Sequence, residues 1–318
     1  MKTVIIYNPR AGRFETTGML QSVSDALRRL DCTVDVWLTT APGDSRRLAA
    51  EARDKGVDSV FIAGGDGSLN AAVQVLAGTD VILGVLPMGT ANVWASELGL
   101  AAPAHPWSDA LRDAAVRQAL GRVRRVDVGV CNGDRFLLWA GLGLDAHIVS
   151  KVEPRRRFVK RFGRTSYLLQ ALWAALSWRG VQMTVRVNEH VLERELLAAV
   201  ATNVRMYGGP FFRLHAAARI DDGEMSLRAF EGHSFLDAYK YLRALVPYSK
   251  APIPEDHLLV GTHFTIDTVR YVNLQLDGEV MGRVRRAVIE LQPAALNVFA
   301  PEARPLPIFS TEAGAEQG

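Results

Sequence analysis

Two cysteines in 318 residues, Cys32 and Cys131, with no C-x-x-C pairing, offer neither a disulfide framework nor a zinc knuckle. That scarcity fits a reducing cytoplasm. No apolar run approaches the roughly 18 residues of a membrane span, and the opening Val4-Ile5-Ile6-Tyr7 is far too short for a signal-peptide core. Membrane contact is therefore expected to be peripheral. A strong charge of one sign is also missing: 37 Lys and Arg stand against 34 Asp and Glu, a net +3 that leaves no footprint for nucleic acid. Disorder is not indicated either, since 48% of residues are hydrophobic and 22% charged. What remains is a chain longer than one hydrophobic core usually spans, which implies two domains and a cleft between them.

The first half alternates. Thr3 to Tyr7, Thr33 to Leu38 and Ser59 to Ala63 read as buried strands, and Thr17 to Leu30 and Asp44 to Lys55 as helices, the second ending at Gly56 in a left-handed cap. A β-α-β-α-β run places its strands in a parallel sheet whose ligands collect beyond the strands' carboxyl ends. The turns after Tyr7, Leu38, Ala63 and Leu86 should therefore share one rim. From about Val123 the rhythm changes to short strands of an antiparallel domain: 136–140, 183–187, 196–201, 225–229, 264–266, 272–276 and 287–291. Helical patterns at Ser166 to Ser177 and Ser234 to Val246 interrupt it, the latter opened by a serine cap. Residues 310–318 are small, polar and acidic, and read as a disordered tail.

The strongest local signal is Gly64-Gly65-Asp66-Gly67-Ser68-Leu69-Asn70, a buried strand running through glycines into a helix. Glycines let backbone amides approach an anion, and the helix N-terminus adds partial positive charge, so this is phosphate-binding chemistry. Asp66 would hold Mg²⁺ or its water shell against a nucleotide. A second turn on the same rim, Leu86-Pro87-Met88-Gly89-Thr90-Ala91-Asn92, offers the Thr90 hydroxyl to a phosphate, with Asn92 capping the next helix or bonding the first loop. Asn8-Pro9-Arg10-Ala11-Gly12 and Thr39 complete the rim.

These segments, followed by Asp127-Val128-Gly129, Gly141-Leu142-Gly143-Leu144-Asp145-Ala146, Tyr207-Gly208-Gly209, Asp221-Asp222-Gly223 and Asp277-Gly278-Glu279, occur in an order that resembles bacterial soluble lipid kinases of the diacylglycerol kinase family. The resemblance spans nearly the whole chain. It implies an α/β fold: an N-terminal Rossmann-like nucleotide domain of the NAD kinase and phosphofructokinase type, a C-terminal antiparallel β-sandwich, and an active site in the cleft between them. The expected division is 1–126 with a returning segment 294–309 for the nucleotide domain, and 127–293 for the lipid domain. By similarity, ATP contacts Asn8, Pro9, Arg10, Ala11, Gly12, Thr39, Gly64 to Asn70 and Thr90. Asp277-Gly278-Glu279 supplies the base that takes the proton from the lipid hydroxyl, with Glu279 the first candidate and Asp277 the second. A structural Mg²⁺ is implied in the loop of Arg219, Asp222 and Glu224, with Asp222 as side-chain ligand and the other two lending carbonyl oxygens.

The chain departs from the commonest family pattern at Ser68, Ala91, Val93-Trp94 and Ala216. Gly141 to Ala146 also fits the dinucleotide pattern G-x-G-x-x-A. It sits in the antiparallel half with no acidic residue at the ribose position, which favours small residues lining the cleft. Arg155, Arg156, Arg157, Lys160, Arg161 and Arg164 precede an apolar helix with Trp173 and Trp178, which suits either an anionic membrane surface or a solvated loop. The resulting expectation is an ATP- and Mg²⁺-dependent kinase of the cytoplasm, acting peripherally at the inner face of the membrane on a diacylglycerol-like, sphingoid or phosphatidylglycerol-like lipid. A homodimer is left open. The alternatives are a kinase for NAD or a soluble polyol, or a lipid-binding regulator without turnover.

Overall fold

In the computed structural model the alternation becomes β1 (Lys2–Tyr7), α1 (Thr17–Arg28), β2 (Thr33–Leu38), α2 (Asp44–Asp54), β3 (Ser59–Gly64), α3 (Asp66–Leu76) and β4 (Ile82–Pro87). The structure describes residues 1–12, 17–105, 108–152, 178–207, 212–245, 257–301 and 306–310. The four strands pair in parallel in the order β4-β3-β1-β2. β3, in the middle, is buried along its whole length, as its unbroken apolar run requires of a strand covered on both faces. Gly56 closes α2 at φ +63°, the left-handed geometry expected of it.

Parallel pairing brings the strand exits side by side. Asn8 N donates to Ala63 O at 3.0 Å, Thr39 N to Tyr7 O at 2.9 Å and Met88 N to Gly64 O at 2.9 Å, so all four turns share one rim.

After α4 (Val93–Glu97) and α5 (Ala110–Ala119), the second half begins with β5 (Arg122–Cys131), β6 (Asp134–Phe136), β7 (Trp139–Gly143) and α6 (Leu144–Val152). It continues through β8 (Val181–Val187), β9 (His190–Thr202), β10 (Met206–Tyr207), β11 (Phe212–Arg213), β12 (Met225–Glu231), α7 (Phe235–Leu245), β13 (Leu258–Gly261), β14 (His263–Leu276) and β15 (Glu279–Ala300). Its pairings are antiparallel, with β8 and β7 both lying between β9 and β14, at opposite ends of those two long strands. The expected helix Ser166 to Ser177, the basic cluster Arg155 to Arg164 and residues 311–318 of the expected tail lie outside the described residues.

The separate strands expected at 264–266, 272–276 and 287–291, with the returning segment that follows them, are in fact two long strands. β14 carries a bulge, because Asp267 faces Arg286 while Val272 faces Val284. On β15, Arg283, Arg285, Arg286 and Pro293 break the period-two pattern that would otherwise betray a strand. β15 pairs with β14 along its first part and with β5 along its second, and lies parallel to β4 where Val298 faces Leu83. The return to the parallel sheet is thus made by a continuous strand.

Two buried apolar clusters fill the molecule, one around β1, β3 and β4 and one inside the sandwich. β9 serves both: Val200 faces the first, Ala199 and Ala201 the second, as the alternation of a strand allows. Polar ties cross between the halves. Gln74 of α3 exchanges hydrogen bonds with the backbone of Arg135, and the buried Glu97 of α4 accepts from Arg205 Nη2 at 2.9 Å and from Met206 N at 2.6 Å. The helix that starts at the glycine turn is therefore bonded directly to the sandwich.

Candidate active site

The two glycine turns of the rim touch backbone to backbone. A Cβ on Gly89 would stand 2.5 Å from Gly65 Cα, and one on Gly65 would stand 3.1 Å from Gly89 Cα, so the approach requires residues without side chains. The Asn92 side chain neither caps α4 nor bonds the first loop. Its backbone is left-handed at φ +48°, and the side chain turns back on its own turn, accepting from Gly89 N at 2.8 Å and donating to Gly89 O at 2.9 Å. Asp66 takes over at α4, its Oδ1 accepting from Trp94 N at 3.3 Å. Burial raises the Asp66 pKa against the opposing pull of backbone N–H groups of Val93, Trp94 and Asn92.

The first-strand exit is braced against the same turn. Asn8 Nδ2 donates to Ser68 Oγ at 3.2 Å, Asn8 Oδ1 accepts from Arg10 N at 3.0 Å, and Ala11 N donates to Asn8 O at 3.0 Å. Gly12 adopts φ +88°, and a Cβ on it would stand only 3.0 Å from Met88 O. Pro9, Arg10 and Thr90 are exposed on the rim, whereas Thr39 is buried. Leu69 belongs to the hydrophobic core, and Asn70 is buried with its Oδ1 accepting from Gln74 Nε2 at 3.0 Å, so these two look inward and not toward a ligand. The helix carries only part of its expected contact set outward.

Opposite the rim stands the tip of the β14–β15 hairpin. Asp277 and Gly278 have φ of +50° and +85°, the pair of positive angles of a type I′ turn, for which Asp-Gly is a preferred sequence. The Asp277 carboxylate is buried and accepts from Leu137 N at 2.8 Å, Leu138 N at 2.9 Å and Trp139 N at 3.0 Å. Burial outweighs these donors, and with the nearby Asp66 carboxylate it pushes the Asp277 pKa up to about 7. Glu279, two residues on, is exposed, and its Oε1 lies so close to Gly67 that a Cβ there would sit 2.6 Å away. Glu279 and the glycine turn, 212 positions apart in sequence, are in contact.

Two carboxylates of the quoted motifs, Asp145 and Asp127, carry no role in the sequence reading. Asp145, buried, accepts from the Tyr207 hydroxyl and from Gln275 Nε2 at 2.6 Å, and burial raises its pKa. Gln275 Oε1 in turn accepts from Gly278 N at 2.7 Å, so Tyr207, Asp145 and Gln275 form a polar chain ending at the Asp277 turn. Gly141 admits Asp145, whose Oδ2 occupies the space a Cβ would need, which explains the G-x-G segment without a dinucleotide. Asp127 accepts from Gly223 N at 2.8 Å and from Ala294 N at 2.7 Å, clamping the Asp222 loop to the bulge in β15. Buried Gln and Asp side chains aimed at backbone N–H groups carry no local sequence signature.

The loop of Arg219, Asp222 and Glu224 lies away from the rim, against residues 307–310. Arg219 Nη1 donates to Pro307 O and Phe309 O, and Asp221 accepts from Arg124 Nη2 at 2.8 Å and from Ser310 N at 2.6 Å. Asp222 is exposed, and its Oδ1 accepts from Glu224 N at 3.1 Å. Burial raises the pKa of Asp127, and the nearby Asp222 and Asp221 carboxylates add to the rise. Among the described residues no group of three or more His, Cys, Asp or Glu side chains has the geometry to hold a metal.

Residues 2–131 match the family model of the diacylglycerol kinase catalytic domain, and residues 140–300 that of the YegS C-terminal NAD kinase beta sandwich-like domain. The chain is 26% identical over 291 residues to a diacylglycerol kinase of Bacillus subtilis (strain 168), covering 90% of this chain and 92% of the relative. It is 29% identical over 287 residues to the protein named Probable lipid kinase YegS of Shigella flexneri, covering 88% and 90%. A crystal structure of a diacylglycerol kinase from Bacillus anthracis str. Sterne superposes with a TM-score of 0.74 at 21% identity, covering 96% of this chain and 97% of that one. At that identity the likeness speaks for the fold.

Proposed function

The chain belongs to the diacylglycerol kinase family of lipid kinases, phosphotransferases with an alcohol group as acceptor, and from that premise we propose that it moves the γ-phosphate of ATP onto a diacylglycerol-like hydroxyl. The observation that carries the reading is the contact between Glu279 and Gly67, which sets a carboxylate of the second half beside the phosphate turn of the first. Residues 1–126 with 294–309 hold the nucleotide and 127–293 the lipid. The N–H groups of Gly65 to Ser68 and the α3 N-terminus receive the phosphates, with the rim of Asn8 to Gly12, Thr39 and Thr90 around them. Glu279 accepts the proton of the lipid hydroxyl as its oxygen bonds to phosphorus and the bond to the departing ADP breaks. Asp277 holds the turn that presents Glu279.

Mg²⁺ fits the donor set. The exposed Asp222 carboxylate and the carbonyls of Arg219 and Glu224 are the hard oxygen donors a divalent cation takes, and there it would brace the loop. Asp66, already engaged by the α4 backbone, suits contact with a nucleotide-bound ion through water. No helix among the described residues is long and apolar enough to cross a membrane, which leaves the acceptor to be met at a surface.

Radiolabelled ATP offered with diacylglycerol, sphingoid, phosphatidylglycerol, NAD and polyol acceptors tests the assignment. Label is expected in a lipid phosphate and absent with Glu279→Ala and Asp66→Ala. Label in NAD or a polyol would overturn the lipid acceptor, and no label anywhere would make the chain a binding regulator.

A further inference from the structure

Between its tip and its base the β14–β15 hairpin is deliberately irregular. Residues 268–271 have no partners on β15, because the register passes from Asp267 opposite Arg286 to Val272 opposite Val284. Thr268, itself buried, pins the bulge: its Oγ1 lies 2.8 Å from Arg270 O and 3.2 Å from Arg285 O. A bulge held in this way re-aims side chains, and here it turns apolar ones outward. Val269 is 65% exposed and Tyr271 54%, and Met281 on the facing strand is 41% exposed.

Arginines frame these side chains. The Arg285 guanidinium sits 4.9 Å from the Tyr271 ring centre, Arg283 Nη2 donates to Tyr271 O at 2.9 Å, and Arg270 lies 5.5 Å from the Trp178 ring centre. Segments 268–271 and 280–286 together hold four arginines and no carboxylate. Asp267, at the edge, faces Arg186 at 2.5 Å and Arg286 at 3.8 Å. Aliphatic and aromatic tips ringed by guanidinium groups match the headgroup boundary of an anionic bilayer: the tips enter the acyl edge and the cations meet lipid phosphates. Arg283 is four residues along β15 from Glu279, about 13 Å at the strand rise, within the length of one lipid molecule.

We propose that this bulge is a docking surface for an anionic phospholipid bilayer, from which it presents the acceptor to Glu279; the second clause rests on the lipid kinase reading above. The full chain is sedimented with phosphatidylcholine vesicles made with or without phosphatidylglycerol. Wild type is expected to bind only the anionic vesicles, and to lose them at high salt. Arg270→Ser/Arg283→Ser/Arg285→Ser should bind about 100-fold more weakly, since each basic group near the surface contributes on the order of a factor of five, and Val269→Ser/Tyr271→Ser about tenfold more weakly through lost apolar burial, both at an unchanged melting temperature. The ratio of rates on vesicle-borne to detergent-dispersed diacylglycerol should fall in parallel. Vesicle binding equal to wild type in both variants would overturn the proposal. So would a wild-type dimer that the variants dissociate without loss of vesicle binding, since a second copy would then cover the bulge. A wild type that binds anionic vesicles but phosphorylates no lipid in either form leaves the docking surface standing and removes the kinase reading.

Discussion

The chain makes the pair Asp-Gly twice in a tight turn, at Asp222-Gly223 and at Asp277-Gly278, and both glycines have positive φ, +75° and +85°. Their surroundings are opposite. Asp222 stands in solvent with one short contact to Glu224 N, on a loop that faces other carboxylates. Asp277 is sealed under the start of β7, with three backbone N–H groups aimed at its carboxylate and Asp66 close enough to repel it. The dipeptide settles the backbone in both places, while burial and neighbours decide what each carboxylate can do. At the second turn Asp277 is turned into the backbone, and the exposed Glu279 is the carboxylate that faces Gly67.

That contrast can be broken most forcefully at Glu279. If this residue is the base, Glu279→Ala should lower kcat by about 100- to 10,000-fold with the melting temperature unchanged. A tenfold loss or less would return the role to Asp277. Gly67→Ala is a subtler probe, since its Cβ must displace Glu279 Oε1. A shift of this size should cost about 100-fold in kcat, and the double variant with Glu279→Ala should lose nothing further. Full additivity would mean that the two residues do not act together.

Asp277→Asn should appear in stability. Its amide keeps one acceptor oxygen but turns an NH₂ toward backbone donors, which should cost about 1–3 kcal/mol and lower the melting temperature by several degrees. The pH dependence gives a second signature. Because burial and Asp66 raise the pKa of Asp277 from 3.8 to about 7, the folded protein holds a proton that the unfolded chain releases. The stabilisation is complete below 3.8 and is lost as pH rises through about 7, so Asp277→Asn should flatten urea midpoints across that window. An identical slope in the variant would assign the pH dependence to another group. Asp222→Ala should do least. Without metal its effect should stay within about 0.5 kcal/mol, as for other exposed positions. Any rise in melting temperature on adding Mg²⁺ should vanish with it, and persistence of that rise would place the ion elsewhere.

Legibility in the sequence followed the same division between backbone and surroundings. β2 is read to its true ends because a short run with β-branched residues lies between turn residues, and β3 within one residue because its apolar run ends at glycine. β14 and β15 were read as fragments, because the 268–271 bulge and the arginines of the hairpin interrupt the alternation. The glycine turns announced the meeting of the two loops on one rim, since only glycine permits the Gly65 and Gly89 backbones to approach so closely. By contrast, nothing local marks Gln275 or Glu97, whose partners, Asp145 for the one and Arg205 and Met206 for the other, lie more than 100 positions away. Leu69 and Asn70 lie in the phosphate motif yet point into the core, which a linear motif cannot distinguish.

β15 also sets a timetable for synthesis. Residues 296–300 close the open edge of β4 and complete the pairing of β5, yet they follow every other strand of the sheet in the chain. Domains commonly fold as they emerge from the ribosome, first half first. Here the nascent parallel sheet must wait with β4 unpaired on one side until the hairpin carrying Glu279 has been made. An exposed strand edge invites pairing with other chains, so a product ending before residue 296 should aggregate. The strand that completes the first half thus also brings Glu279 to Gly67, and competence for phosphate transfer should arise in the same late step as a closed sheet.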